Sequence, residues 1–157
     1  MSAVEERLTA LGHTVPEVVP PVAAYVPAVQ QGELVFTSGQ LPMVDGQLAG
    51  TGKVGEGEGL VDPEEAKRLA GLCALNAIAA VKALIGDLDK VTRVVKVVGF
   101  VSSDPAFTGQ PGVINGASEL LGEAFGEVGV HARSAVGVAV LPMDTPVEVE
   151  ITVAVSA

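Results

Sequence analysis

The chain alternates between two periodicities, and each stretch predicts an element. Residues 2–11, SAVEERLTAL, predict a short helix: Ser2 and Glu5 have capping-box spacing and Gly12 follows as a stop. HTVPEVVPPVAAYVPAV (13–29) carries four prolines and predicts an extended surface segment. ELVFTSG (33–39) predicts a strand, and the Asp-Gly of VDGQLAG (44–50) predicts a hairpin spanning 33–50. Residues 50–59 hold five glycines and predict a mobile loop. Residues 63–85 predict the strongest helix, with Asp62 as cap, Pro63 at its first position, Glu64 and Glu65 in the first turn, and Gly86 as its end. Its Ala-rich middle predicts burial on nearly every side.

VTRVVKVVGFVSS (91–103) is a β-branched run that predicts a central strand. A second helix is expected at 115–125, after a turn-rich connector. Two strands, 132–141 and 147–155, are then expected to form a hairpin through PMDT. The order β-β-α-β-α-β-β, with a further short strand near 53–54, predicts an α+β fold with two helices beside one sheet.

Period-2 alternation divides the last two strands into faces. Val147, Val149, Ile151, Val153 and Val155 share one face, and Glu148, Glu150, Thr152 and Ala154 the other. In 132–141, Ser134, Val136, Val138 and Val140 form one row and Arg133, Ala135, Gly137 and Ala139 the second. The valine rows are expected against the helices. The small-residue row, with Arg133 and Glu148 at its margins, is expected to lie under another subunit. Arg133 and Glu148 are then too far apart to meet inside one chain, which points to clefts between subunits of a closed ring.

Composition narrows the function. Length predicts one domain, 1–157, with 1–24 as a helical and proline-rich extension. The net charge is −10 and the nine Lys and Arg are scattered, which disfavours nucleic acid and a membrane surface as partners. The first residues lack a signal-peptide pattern, and no apolar run is expected to span a membrane, so a cytoplasmic protein is the expectation. The single cysteine, Cys73, lies in an apolar helix and is expected to be a buried small hydrophobe. His13 and His131 are too far apart in sequence to suggest a metal site, and no metal or organic cofactor is expected. Ser38 has no visible histidine partner that would make it a hydrolase nucleophile. TGKVGEG lacks the ending of a phosphate-binding loop and is read as a flexible cover.

TSGQLP (37–42), ALNAIAAVKALIGDLDKVTRVVKVVGFV (74–101) and ARSAVGVAVLPMDTPVEVEI (132–151) resemble the RidA family, also called YjgF-type proteins or reactive-intermediate imine/enamine deaminases. The likeness runs from about Tyr25 to the C-terminus, with wording that suggests a divergent branch. It implies a chorismate-mutase-like fold with a mixed sheet, a homotrimer, and three ligand clefts at subunit interfaces. By the same resemblance Arg133 binds a substrate carboxylate and Glu148 handles the attacking water. Tyr25, Ser38, Gly39 and Asn115 match further positions that line the cleft. Ala135 stands where the active branch has cysteine, which bears on the substrate and activity, and His131 replaces a common proline and is placed in the same cleft. The implied reaction is hydrolysis of small carboxylate-bearing imines or enamines, of the 2-aminoacrylate or 2-iminobutanoate type, to keto acid and ammonia. A trimer that binds a small carboxylate without turnover is the alternative. A ribonuclease role, also attached to the family, is opposed by the charge.

Overall fold

The computed structural model describes residues 1–18 and 23–157; residues 19–22 of the proline-rich segment lie outside the described residues. Among the described residues, three α-helices and seven strands are arranged as α1 (Ala3–Ala10), β1 (Ala28–Gln31), β2 (Leu34–Thr37), β3 (Met43–Val44), β4 (Gln47–Leu48), α2 (Pro63–Ile85), β5 (Val91–Ser102), α3 (Gln110–Phe125), β6 (Ala132–Val138) and β7 (Val147–Val155). Five strands form one mixed sheet in the order β1-β2-β7-β5-β6, and β3 pairs with β4 separately.

The helix ends follow their local chemistry. Ser2 and Glu5 close a reciprocal capping box on α1. The Asp62 side chain accepts the Glu64 amide, Pro63 opens α2, and Gly86 ends it with φ 82°. By length and composition alone α2 could cross a membrane, which corrects the expectation that no apolar run is long enough. Its eleven buried residues, from Ala66 to Val81, pack inside this fold instead. Asn76 breaks that apolar run because its amide donates to the carbonyls of Leu41 and Met43, at 2.9 and 3.1 Å. α3 starts five residues earlier than expected because Pro111 is tolerated in a first turn.

α1 belongs to the same body as the rest. Val4 and Leu8 are buried, Asp89 accepts the amides of Ala3 and Val4, and Arg7 donates to the Ala124 carbonyl. Glu5 also pairs with Lys82, and the two bonds hold its carboxyl down at about 2, Lys82 contributing most and Ser2 next.

Three strand expectations are corrected. The Asp45-Gly46 turn exists, with both residues at positive φ, but it joins β3 to β4; β2 makes its own hairpin with β1. β6 and β7 do not form a hairpin. β6 runs parallel to β5 at the sheet edge, and β7 lies between β2 and β5, antiparallel to both. The 16-residue α3 between β5 and β6 makes a strand–helix–strand crossover, and such a connection delivers its second strand parallel. β7 is therefore the middle strand, and β5 its interior neighbour.

The glycine-rich stretch 50–59 is anchored rather than free. Val54 is buried and bridges Ser103 and Val61; its amide donates to the Ser102 carbonyl, and Gly52 N donates to the Asp144 carbonyl.

α2 and α3 cover one sheet face at very close range. A Cβ on Gly116 would lie 1.9 Å from the Lys67 carbonyl oxygen, and one on Gly99 would lie 2.5 Å from the Ile114 side chain. The small row of β6 serves the same approach. Arg133, Ala135 and Gly137 are in register with Val97, Gly99 and Val101 and face α3, where a Cβ on Gly137 would meet the Gln110 side chain at 2.7 Å. This reverses the expected faces of β6: its small residues make room for a helix of the same chain, and its valines point away. The far face of the sheet carries Val29, Leu34, Phe36 and Val136, which are 37–51% exposed, together with Glu148 and Glu150.

Candidate functional site

The expected site residues gather in two places. The first is the edge where β6 meets α3. Arg133 Nη1 donates to Asn115 Oδ1 at 2.7 Å and to Ser118 Oγ at 3.2 Å, and Nη2 donates to the Pro111 carbonyl at 3.2 Å. All three acceptors are uncharged. Among the described residues no carboxylate pairs with Arg133. The guanidinium is thus held in place by helix α3 without being neutralised. Of its five N–H groups, Nε–H and one on Nη2 have no partner among the described residues, and they are available to an anion from outside the chain.

The local sequence explains the cradle. Asn115 and Ser118 are three apart and share one helix face. Pro111 sits in the first turn, and its carbonyl points back toward the strand edge. His131 lies two residues before Arg133 on the same side of the chain. Its Nδ1 is 2.6 Å from the Gly129 carbonyl oxygen and its Nε2 is 2.9 Å from Ser118 Oγ. Ala135, next in the row, packs against the core beneath α3.

The second place is on the far face, where β2 leads into the chain alongside β7. Gln40 and Val149 exchange backbone hydrogen bonds at 2.8 and 3.0 Å, which brings residue 39 over β7. The Glu148 carboxyl lies against Gly39 so closely that a Cβ there would be 2.8 Å from Glu148 Cδ. Ser38 Oγ donates to the Val26 carbonyl at 2.6 Å, and Ser38 N donates to that of Pro27 at 2.8 Å. The hydroxyl expected to meet a ligand is therefore engaged in tying down the segment that carries Tyr25, itself 56% exposed. Burial raises the Glu148 carboxyl above its ordinary value, and the like charge of Glu150 raises it further. Beneath it Cys73 is fully buried, and burial first, then Glu148, pushes its thiol well above the usual range.

The two places are not one site inside a single chain. Arg133 is in register with Val97 and so with Ile151, three residues from Glu148 and two strands over. That separation is roughly 10 Å along the strands and roughly 10 Å across them. Moreover, the side chains point to opposite faces. The expectation that Arg133 and Glu148 do not meet within one chain holds, though for a different reason from the hairpin geometry behind it.

Ser118 was missed by sequence reading. The available signal was its i, i+3 relation to Asn115; what it touches depended on where β6 docks. Among the described residues there is no group of three or more His, Cys, Asp or Glu side chains placed to hold a metal ion.

A mixed five-stranded sheet with helices on one face and an unneutralised arginine at its edge defines an α+β protein of the chorismate-mutase-like class. The model of the family described as "YjgF/chorismate mutase-like, putative endoribonuclease" matches residues 5–153. The chain is 44% identical over 148 residues to Protein TCP17 of Trypanosoma cruzi, covering 94% of this chain and 91% of that one. The crystal structure of Atu1372 from Agrobacterium tumefaciens, a protein of unknown function, is 48% identical, has a TM-score of 0.90 and covers 98% of this chain and 93% of its own. TdcF of E. coli, solved with bound serine, is 28% identical with a TM-score of 0.61 over 90% of this chain and 94% of its own. The chain belongs to the YjgF (RidA-type) family, and the match takes in part of α1, upstream of where the sequence likeness was expected to begin.

Proposed function

We propose that the protein binds small carboxylates at Arg133 and hydrolyses carboxylate-bearing imines or enamines, of the 2-aminoacrylate or 2-iminobutanoate type, to keto acid and ammonia. The observation that carries this reading is the Arg133 guanidinium, fixed by three neutral acceptors and paired with no carboxylate among the described residues. Such a group retains its charge and presents a planar fork that suits a carboxylate. The bound serine of TdcF supports a small amino-acid-like ligand on this fold.

Three copies of the chain complete the site. The far face of the sheet exposes large apolar side chains around Glu148, as a surface covered by a second subunit would, and a ring of subunits brings Arg133 of one protomer toward Glu148 of another. Glu148, whose carboxyl is raised above its ordinary value by burial and then by Glu150, orients the water that attacks the C=N carbon and passes its proton to the departing nitrogen. Tyr25, Gly39 and Asn115 shape the cleft, with Ser38, Ala135 and His131 supporting it from behind. The carbon of an iminium is already electrophilic, so the chain's own residues suffice for this chemistry.

The test is keto-acid release from 2-iminobutanoate generated in situ, followed with wild type, Arg133→Ala and Glu148→Gln. Turnover is expected with wild type, loss of both binding and turnover with the arginine variant, and loss of turnover alone with the glutamate variant. Asn115→Asp places a carboxylate against the guanidinium and should weaken carboxylate binding about tenfold, near 1.4 kcal/mol. Keto acid forming no faster with protein than without it, while carboxylates still bind at Arg133, would leave a binding trimer without turnover. That second reading is favoured by Ala135, which fills the cysteine position of the active branch and packs into the core.

A further inference from the structure

Ser118 and His131 make a contact that imine hydrolysis leaves unused. Ser118 Oγ is 2.9 Å from His131 Nε2, and His131 Nδ1 is 2.6 Å from the Gly129 carbonyl oxygen. A carbonyl oxygen can only accept, so in the neutral ring the proton sits on Nδ1. Nε2 is then an acceptor, and the Ser118 hydroxyl donates to it. The same hydroxyl oxygen accepts Arg133 Nη1 at 3.2 Å. With the imidazole neutral, the hydrogen bonds run in one direction from the guanidinium through Ser118 and His131 to Gly129.

A serine inside a helix commonly turns its hydroxyl back to the carbonyl four residues earlier. Ser118 turns outward to an imidazole on a different element. The imidazole is oriented by a fixed acceptor on its far nitrogen, and a cation stands at the serine oxygen. Nucleophile, base and orienting group are all within hydrogen-bond reach, which is the arrangement an activated serine requires. Ser118, His131 and Arg133 are all partly exposed, so a small substrate can reach them.

We propose that Ser118 is a nucleophile for acyl transfer with His131 as its base, and that this site hydrolyses half-esters of small dicarboxylic acids. The free carboxylate is held by the Nε–H and Nη2–H of Arg133. Because the guanidinium lies directly beside Ser118 Oγ, the acyl carbon and the carboxylate carbon must be only about two or three bonds apart, which selects three- and four-carbon diacids. Ser118 Oγ attacks the ester carbon as its proton passes to His131 Nε2, and the carbonyl π pair moves onto oxygen. Collapse re-forms the carbonyl and breaks the bond to the alkoxy oxygen, which leaves as alcohol with the proton from Nε2. Water then attacks the acyl-serine and gives its proton to Nε2. That proton returns to Ser118 Oγ as the diacid departs, and the new carboxyl releases its remaining proton to solvent.

The experiment treats the full chain with a fluorophosphonate probe and separately follows hydrolysis of monoethyl malonate and p-nitrophenyl acetate. The expected results are a covalent adduct on Ser118 by peptide mass spectrometry and ester hydrolysis that falls at least 100-fold in both Ser118→Ala and His131→Phe. Arg133→Gln should depress hydrolysis of the malonate half-ester far more than that of the neutral acetate. Labelling is read on the wild-type chain and so does not depend on any variant folding. No adduct on Ser118, or malonate half-ester hydrolysis unchanged in Ser118→Ala, overturns the proposal. Arg133 is shared with imine hydrolysis, but the ester assay scores this chemistry whether or not 2-iminobutanoate is turned over.

Discussion

The two faces of the sheet are built by opposite rules. On the helix side the residues shrink where α2 and α3 pass: Gly99 and, between the helices, Gly116 leave no room for a methyl group, Gly137 lies against the Gln110 side chain, and Ala135 packs against the core. On the far side Phe36, Leu34, Val29 and Val136 remain large and half exposed, and two carboxylates stand among them. Close packing that is already complete tolerates no additions. Large apolar side chains left half open are where the proposed subunit contact would form. Small residues on a strand can thus report a partner within the chain, while the larger ones form the face on which the proposed assembly rests.

The largest effect should come from crowding the closed face. Gly116→Ala drives a methyl group into the Lys67 carbonyl, and Gly99→Ala drives one into Ile114. Each should cost about 3 kcal/mol, read as a lowered midpoint in urea; the Gly99 loss should be partly recovered by Ile114→Val, whereas the Gly116 loss should not. An unchanged midpoint in both would mean that the helix layer is loosely seated.

The open face should respond in the opposite way. Val136→Lys and Phe36→Lys should each change the stability of a single subunit by no more than about 0.5 kcal/mol while shifting the mass in sedimentation from an assembly toward a monomer. Unfolding of the subunit, with no change in association, would place these side chains in the chain's own core and erase the contrast.

Glu148→Gln probes the same face more gently. Burial and Glu150 raise the Glu148 carboxyl, so the folded chain is penalised for ionising it. The penalty is absent below the ordinary carboxylate range and grows as the pH rises through the raised value. The variant should therefore be slightly more stable than wild type near neutrality and equal to it in acid, as thermal melts across pH would report.

The smallest effect belongs to the rim of the helix layer. Glu5 is held at about 2 by Lys82 and the Ser2 cap. Its contribution is present above the ordinary value of 4.5 and is lost as the pH falls toward 2. Lys82→Met should cost less than about 1 kcal/mol at neutral pH, as expected of a partly exposed pair. The cost should shrink toward pH 2, where wild type loses the same support.

What could be read from the chain alone was what neighbours in sequence decide. The Ser2–Glu5 box, the Asp62-Pro63 start, the Gly86 stop and the Asp45-Gly46 turn each depend on a few adjacent residues, and each stands where it was expected. The motif around Arg133 and the position of Glu148 also announced a family, since both lie in short recognisable stretches. Tertiary structure decided everything that needed a distant partner. The alternation of β6 separates two faces but does not say which one the helix takes; that was settled when α3 carried β6 back parallel to β5. The same docking turned Arg133 toward Asn115 and set Ser118 beside His131, a pairing that twelve residues of intervening chain conceal. Strand pairing and helix docking are chosen by whole surfaces competing for burial, and no local pattern contains that competition.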